Sequence, residues 1–396
     1  MLPSHLLDPT KKKNERLNRT QLGVAPPALP PSLCVTGALS KIGRYRVVVG
    51  KQENSTKEPS EGSWVARKNL IDDNNGAPII LSYCIFRPRQ LNDERKPPLL
   101  CLHGGPSVPS NYLLPIVNGV TDRAVIFYDQ WGCGKSSRPE LLPANDESNT
   151  TSKKSQYRPF SIPTMVEHLR QLIEEHWKLK RFHLLGHSFG GILAYEYLLT
   201  MKRRKEDIGW QQNAIPCSLI LSSTPTSSRI IKSESHRLLR NLENSTGSFD
   251  DGDGDGAIPV GKDLSSEQQT QRKQSIQYSE EFRQTHECRL PNPPLSLMNA
   301  MSQMGPIPWR GIPAIESYEA EAMKDDPSYE LPPALLMRGE YDLCTEQCMV
   351  RWKERLSSNS TEETILANCS HYAMLEDERL YGEEILRFVK LHDAPR

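Results

Sequence analysis

The chain has 396 residues, which is long enough for a large core in one big domain with an insertion, or for two domains. Its 49 basic and 49 acidic residues cancel, so no general attraction to nucleic acid or to an anionic membrane is expected. No apolar run approaches the roughly 18 residues that a membrane-spanning helix needs, and the first residues lack the apolar segment of a secretory signal.

The chain begins with a polar, proline-rich stretch, residues 1–36, which predicts a disordered tail. Two runs rich in β-branched and aromatic residues follow, "GRYRVVVG" at 43–50 and "IILSYCIF" at 79–86. A polar stretch rich in Asn and Gly separates them. These runs predict antiparallel strands early in the fold.

A regular alternation of apolar runs and helical patterns begins near residue 98. Helices are predicted over 161–177, where apolar residues recur with the helical period, and over 190–202. Continuous apolar runs that predict buried strands lie at 98–105, 124–132, 181–188 and 217–225. This alternation indicates an α/β fold with a mostly parallel sheet that helices cover on both faces.

The alternation stops between residues 226 and 330, where the sequence has amphipathic helix candidates and no convincing strand. The Gly/Asp-rich stretch 247–263 is predicted to be disordered. Strand patterns resume at 334–342 and 364–369, and a C-terminal helix is predicted from about 377. We therefore predict one α/β core formed by 37–225 and 331–396, interrupted by a helical insertion at 226–330.

The cysteines follow no disulfide or metal-binding pattern. Nine of them lie singly along the chain, which predicts free thiols in a reducing compartment and a cytoplasmic location. Cys344 and Cys348 have a spacing that metal ligands use, but no second Cys/His pair stands nearby, so ordinary burial is predicted. No metal is expected.

A candidate nucleophile stands in "GHSFG" at 186–190, between a predicted strand and a predicted helix. A serine on such a tight turn is strained and lifts its hydroxyl clear of the sheet, and small flanking residues let the chain pass. The alternative is a chance Gly/Ser turn. The strand before the turn, the helix after it and the additional Gly191 favour Ser188 as a nucleophile.

A serine needs a base, and in this arrangement the chain order is nucleophile, acid, histidine. Asp342 and His371 each follow a predicted strand after the serine, at the edge where an open α/β sheet has its active site. His371 is predicted to take the serine proton and Asp342 to orient it. Glu340 is a rival acid, and the other histidines lie in less suitable places.

The tetrahedral intermediate of acyl transfer needs two N–H donors. One is predicted at Phe189, the residue after the serine. The other is predicted at Gly105 in "HGGP" (103–106), a loop whose glycines let the backbone approach substrate closely. The alternative is an ordinary Gly-Pro turn.

The segment "DQWGCGKS" at 129–136 ends like a phosphate-binding P-loop. That loop requires a glycine where this chain has Asp129, which would place a carboxylate beside the phosphates. The segment therefore does not predict a nucleotide site.

Taken together, these segments resemble the proline iminopeptidase family of α/β-hydrolases. "HGGPSVPSNYLLPI" (103–116) resembles its HGGPG segment, and "YDQWGCGKSSRP" (128–139) its DQRGxGxS loop. The nucleophile, acid and histidine segments also match. So does "FRQTHECRLPNPPLSLMNAMSQMGP" (282–306), which resembles a stretch of the family's helical cap.

The resemblance implies an α/β-hydrolase fold with an inserted helical cap and a serine aminopeptidase activity. Such enzymes remove N-terminal residues, often proline, from small peptides, and related members cleave amino-acid amides or esters. Neither a cofactor nor a nucleic-acid or membrane partner is implied. The rival interpretations are an esterase or amidase on the same scaffold and a non-catalytic binding protein. An aspartate nucleophile, as in epoxide hydrolases, is disfavoured by Ser188.

Three positions depart from the family pattern. Ser107 replaces the last glycine of HGGPG, and Trp131 replaces the arginine of DQRG. The cap turn Gly305–Trp309 lacks the glutamate that the family uses to bind the substrate amine. A buried ammonium needs a carboxylate partner. Glu287, Glu316 and Glu319 are candidates for that role, and Trp131 is a further candidate substrate-binding residue.

Overall fold

The computed structural model describes residues 45–48, 62–65, 79–88, 96–138, 160–208, 214–245, 280–323, 331–356 and 361–394, all within one compact unit, Arg44–Arg396. The tail predicted for 1–36 and the stretch 247–263 lie outside these residues. The division into core and insertion stays a prediction.

The described strands form a nine-stranded sheet in the order β1-β3-β5-β4-β6-β7-β8-β9, with β2 paired to β3. β3 runs antiparallel to its neighbours, whereas β5, β4, β6, β7, β8 and β9 run parallel. The strands are β1 Tyr45–Val48, β2 Gly62–Val65, β3 Ile80–Pro88, β4 Leu99–Leu102, β5 Val125–Tyr128, β6 Arg181–His187, β7 Ile215–Ser222, β8 Ala334–Gly339 and β9 Thr361–Leu366.

The described α-helices range in length from 3 to 20 residues. They are α1 Ile116–Gly119, α2 Ile162–Gln171, α3 Phe189–Ile208, α4 Ser228–Ser245, α5 Glu280–Phe282, α6 Leu295–Ser302, α7 Glu346–Met349, α8 Trp352–Leu356, α9 Ala373–Glu376 and α10 Glu378–Leu391. Wider π turns extend α2 over Leu172–His176 and α5 over Arg283–Glu287. None of the helices in the described ranges is long and apolar enough to cross a membrane.

The core forms because the central strands are apolar on both faces. Every residue of β4 (LLCL) and β5 (VIFY) is buried, as expected for parallel strands that helices cover on both sides. α2 begins where Ser161 caps it by accepting the Thr164 N–H, and it buries one apolar face against α3. The predicted α/β class is confirmed, and so are the antiparallel strands at its start.

Two strand predictions needed correction. The sequence did not predict β2, which lies in the polar stretch and is a strand because it pairs along β3. β9 begins at Thr361, before the predicted start, and its first residues are partly exposed because it is an edge strand. Between β7 and β8, the described residues form helices and turns, apart from an isolated bridge between Ser227 and Glu319.

Candidate active site

Ser188 lies alone on a sharp turn between β6, which ends at His187, and α3, which begins at Phe189. Its φ is +54°, a left-handed conformation that a non-glycine residue adopts only under constraint. Its N–H donates to the Ser222 carbonyl of β7 at 2.8 Å. The chain can pass behind the turn because residue 190 is glycine: a Cβ there would lie 2.1 Å from the Leu102 carbonyl oxygen. The local geometry is that of a nucleophile turn.

The predicted acid and base are in direct contact. His371 Nδ1 lies 2.8 Å from Asp342 Oδ1, and the Asp342 side chain is fully buried. The Cys344 N–H donates to the same oxygen at 2.7 Å and holds the carboxylate in place. Asp342 lies in the turn after β8, which ends at Gly339. Glu340 is exposed, and its carboxylate accepts the Asn368 N–H instead.

The two groups shift each other's pKa in opposite directions. Burial alone would lower the pKa of His371, but the charge and hydrogen bond of Asp342 raise it above the ordinary value. Burial would raise the pKa of Asp342, and His371 lowers it below its usual range. A neutral His371 beside an ionised Asp342 is the state that can accept a serine proton.

The "HGGP" loop reaches the nucleophile. A Cβ on Gly104 would lie 2.9 Å from Ser188 Cβ, so a side chain at this position would displace the serine. Gly105 has a φ of +120°, which favours glycine. Within the described part of the chain, neither the Gly105 N–H nor the Phe189 N–H has an acceptor. The structure thus brings the predicted oxyanion donors to the Ser188 turn.

Arg283–Glu287, in the predicted cap, is hydrogen-bonded to the loops that carry Asp342 and His371. The His286 carbonyl accepts the N–H groups of Leu343 and His371, both at 3.2 Å. The Glu287 carbonyl accepts the Tyr372 N–H at 2.9 Å. The segment predicted to be a helical insertion therefore has residues in direct contact with the candidate site.

This attachment brings the Glu287 side chain close to His371. Burial raises the pKa of Glu287, and the charges of His371 and Arg283 oppose that rise. Its carboxylate has no hydrogen-bond donor among the residues that the structure describes. A carboxylate in this position can bind a cation supplied by a substrate.

The other two carboxylates lie at the surface. The Glu316 side chain is 76% exposed and lies 3.7 Å from the Lys232 ammonium group. Glu319 is 41% exposed and pairs with Arg351 at 3.3 Å and Arg355 at 3.7 Å. Of the predicted amine-binding carboxylates, Glu287 is the one that the fold places near His371.

Comparison with known proteins shows the fold and the family of the chain. A family model described as the α/β hydrolase fold matches residues 97–204. A proline iminopeptidase of Lactobacillus delbrueckii subsp. bulgaricus is 30% identical over 303 residues, which cover 72% of this chain and 87% of the relative. The chain belongs to the proline iminopeptidase family. A proline iminopeptidase of Lactobacillus crispatus is 27% identical over 312 residues, which cover 76% of this chain and 92% of the relative.

Solved structures share the fold. A proline iminopeptidase of Mycobacterium smegmatis superposes with a TM-score of 0.56 at 18% identity, over 84% of this chain and 99% of that one. The protein VinJ superposes with a TM-score of 0.58 at 17% identity, with the same coverage. The predicted α/β-hydrolase fold and the predicted family are confirmed, and the chain is a hydrolase.

The departures from the family pattern form contacts of their own. Ser107 has a φ of +63°, and its hydroxyl donates to the Trp309 carbonyl at 2.5 Å, which joins the oxyanion loop to the cap turn. Trp131 is buried and stacks on Phe160 at 4.5 Å between ring centroids. Phe160 in turn stacks on Trp309, which meets the Phe189 ring edge-on at 5.8 Å. These four rings form an aromatic wall that includes the predicted oxyanion residue Phe189.

In the loop "DQWGCGKS", the Asp129 carboxylate is held by hydrogen bonds from nearby residues. Asp129 accepts the N–H and hydroxyl of Ser110 at 2.9 and 2.8 Å, and the Lys135 N–H at 3.0 Å. The N–H groups of residues 132–135 all donate to acceptors within the chain, which agrees with the rejection of a phosphate site. Cys344 and Cys348 are fully buried free thiols, and the described residues contain no cluster of three or more potential metal ligands.

Sequence reasoning did not identify Tyr112, whose hydroxyl contacts both Gly104 and His187. His187 was among the histidines judged to lie in less suitable places for the base. Their positions, inside the "HGGP…YL" segment and directly before the serine, were the available signals. Neither position indicated that the two side chains meet.

Proposed function

We propose that this chain is a serine aminopeptidase that releases N-terminal residues, with proline preferred, from small peptides. Ser188 attacks the scissile carbonyl while His371 takes its proton and Asp342 holds the ring. The N–H groups of Gly105 and Phe189 stabilise the oxyanion. His371 then protonates the leaving amine, and water hydrolyses the acyl-enzyme by the reverse proton route.

The observation that carries the aminopeptidase assignment is the half-buried Glu287 carboxylate, which lies close enough to His371 for the two charges to interact. An N-terminal residue brings a cationic amine within a few ångströms of the scissile carbonyl. A buried ammonium group needs a carboxylate partner, and Glu287 has no hydrogen-bond donor within the described chain. It therefore supplies the partner that the cap turn Gly305–Trp309 lacks.

The aromatic wall supports the preference for proline. Trp131, Phe160, Trp309 and Phe189 form a continuous buried cluster of rings that begins at Phe189, the residue after Ser188. A substrate's pyrrolidine ring is rigid and apolar, so it would gain from packing against the Phe189 end of this cluster without losing rotamer freedom. The relatives named proline iminopeptidases point to the same substrate class.

The first test compares hydrolysis of Pro-naphthylamide with that of its N-acetylated form, in wild type and in Ser188→Ala. We expect turnover of the free amine, little turnover of the blocked compound, and loss of activity in the variant. Equal or faster hydrolysis of the acetylated compound would overturn the aminopeptidase assignment. Absence of Ser188-dependent turnover of both compounds and of an activated ester would instead indicate a non-catalytic protein.

A second prediction concerns Glu287→Gln. Loss of the charged partner should raise KM for Pro-naphthylamide roughly 10- to 100-fold, because a hydrogen bond to a charged group is lost. KM for an uncharged activated ester should change little. Glu316→Gln is the matched control, since Glu316 is exposed, and it should behave as wild type. An equal rise in KM for charged and neutral substrates would indicate that Glu287 interacts with His371 rather than with the substrate amine.

The second candidate is an esterase or amidase on the same scaffold. The sequence of the cap turn favours it, because Pro308 stands where the family pattern has the amine-binding glutamate. This candidate predicts that blocking the amine leaves hydrolysis unchanged. The acetylated substrate therefore separates the two functions.

A further inference from the structure

A buried chain of hydrogen bonds joins the oxyanion loop, the residue before Ser188 and the backbone of His371. The Gly104 N–H donates to the Tyr112 hydroxyl at 2.7 Å. That hydroxyl lies 2.8 Å from His187 Nδ1, and His187 Nε2 lies 2.8 Å from the His371 carbonyl oxygen. Tyr112 and His187 are each 1% exposed, so water does not compete for these bonds.

The positions of the protons in this chain follow from its two ends. The His371 carbonyl can only accept, so His187 Nε2 carries the donated proton. In the neutral ring Nδ1 is then an acceptor, so Tyr112 donates to it while accepting from Gly104. Burial, reinforced by the charge of His371, lowers the pKa of His187 to about 3. The ring is therefore neutral at physiological pH, and the direction of every hydrogen bond in the chain is fixed.

We propose that Tyr112 and His187 are positioning residues for the Ser188 reaction, which hold the oxyanion loop and His371 in place on either side of the nucleophile. Gly104 is close enough to Ser188 that a Cβ on it would lie 2.9 Å from Ser188 Cβ. Because Tyr112 uses the Gly104 N–H, the neighbouring Gly105 N–H is the loop donor left for the oxyanion. This inference rests on the proposed serine mechanism.

The His187 end of the chain acts on the base. Its ring lies 4.8 Å from the His371 ring, centroid to centroid, and its N–H anchors the His371 backbone. A neutral neighbour anchors the base without repelling the imidazolium that forms when His371 takes the serine proton. Small displacements of either catalytic group reduce rate strongly, because proton transfer and oxyanion binding depend on position.

The test is Tyr112→Phe, which keeps the ring and removes the hydroxyl. We expect kcat on Pro-naphthylamide to fall roughly 10-fold, the factor that corresponds to loss of one buried hydrogen bond, with KM nearly unchanged. Labelling of Ser188 by a fluorophosphonate should slow by a similar factor. Tyr128→Phe is the matched control, because Tyr128 is also 1% exposed and its hydroxyl has no partner in the described chain. Removal of this hydroxyl should leave kcat unchanged.

A double-mutant cycle tests whether the two residues act as a unit. His187→Gln can still offer an N–H toward the His371 carbonyl but breaks the ordered link to Tyr112, so it should lower kcat by a factor like that of Tyr112→Phe. The double variant should then be no slower than the slower single variant. Independent effects that multiply would overturn the proposal, and so would wild-type kcat and labelling rates in Tyr112→Phe.

The labelling rates keep this proposal separate from the aminopeptidase assignment. If wild type reacts with the fluorophosphonate but does not cleave Pro-naphthylamide, the aminopeptidase proposal fails. The labelling rates of the same variants then decide on Tyr112 and His187. If Ser188 does not react in wild type, there is no activated nucleophile to position, and both proposals fail.

Discussion

Ser188 has a strained backbone, and we propose that it acts with the buried Asp342–His371 pair. A left-handed φ at a non-glycine residue costs about 1–3 kcal/mol, and the surrounding contacts must hold it. Here the bond from the Ser188 N–H to the Ser222 carbonyl and the close approach of Gly104 and Gly190 provide that support. The turn places Ser188 against Gly104 of the HGGP loop, and the preceding residue, His187, contacts the His371 carbonyl.

Asp342→Asn tests the acid at this scale. The ionised carboxylate raises the pKa of His371 above its ordinary 6.5, so the acid limb of kcat/KM in wild type should lie above about pH 6.5. The variant loses the group that orients the ring and stabilises its charged form. We expect kcat to fall roughly 10³- to 10⁴-fold and the acid limb to move to lower pH.

The measurement is a pH–rate profile of both proteins, with Glu340→Gln as control. Glu340 is the neighbouring carboxylate and its side chain accepts the Asn368 N–H rather than contacting His371. The pH–rate profile of Glu340→Gln should therefore match that of wild type. A profile of Asp342→Asn with the wild-type midpoint would show that Asp342 does not set the pKa of His371.

At the scale of secondary structure, helix α10 closes the fold against α1 through two glycines. A Cβ on Gly119 would lie 2.3 Å from Gly382 Cα, and one on Gly382 would lie 2.5 Å from Gly119 Cα. The backbones therefore touch, and no side chain fits between them. α1 follows the HGGP loop and α10 follows the His371 loop, so this contact also fixes two active-site loops relative to each other.

Gly382→Ala should therefore destabilise the protein although alanine is the better helix former. We expect the free energy of unfolding to fall by about 1–3 kcal/mol, as for other insertions into tightly filled sites. Glu383→Ala is the control, because the Glu383 side chain is 56% exposed and pairs with the exposed Arg379, so its effect should stay within about 0.5 kcal/mol. Thermal or urea unfolding measures both, and equal stability of the two variants would contradict the contact.

At the scale of the whole molecule, Asp393, which follows helix α10, is bound at the edge of the sheet opposite the candidate active site. The Arg123 guanidinium is fully buried and donates to both carboxylate oxygens of Asp393, at 2.6 and 3.0 Å. Nε2 of His183, in β6, lies 3.1 Å from Asp393 Oδ1. A buried guanidinium that loses its partner is costly, so this contact should hold the last helix to the core.

Asp393→Asn should lower the free energy of unfolding at pH 7 by about 2 kcal/mol, less than for an isolated buried pair because Asp122 also pairs with Arg123. Burial would raise the pKa of Asp393, but His183 and Arg123 lower it well below its usual range. A depressed pKa contributes stability above the unfolded value of 3.8, and that stability is lost as the pH falls.

The difference in free energy of unfolding between wild type and Asp393→Asn should therefore be constant between about pH 8 and pH 5. It should shrink below about pH 4. Urea unfolding across this range measures it. Glu362→Gln removes a surface partner of Arg387 and serves as the control, with an expected change below about 1 kcal/mol. A difference that grows on acidification would contradict the assignment.

Much of this protein follows from its sequence by local rules. Runs such as "LLCL" and "VIFY" are apolar at every position, so they predict buried parallel strands without knowledge of their neighbours. The Ser188 turn is likewise a local pattern of strand, small residues and helix. Asp342 and His371 follow from chain order and from the rule that strands of a parallel sheet carry their active site at one edge.

Tertiary structure decided the features that depend on contacts between distant segments. Glu287, Glu316 and Glu319 are equivalent acids in the sequence, and only the attachment of the cap to the His371 loop brings Glu287 to the base. Strand β2 exists because β3 offers it an edge, and Tyr112 meets His187 across 75 residues of sequence. Composition and periodicity report how a segment is buried, but they carry no information about which distant side chain it will face.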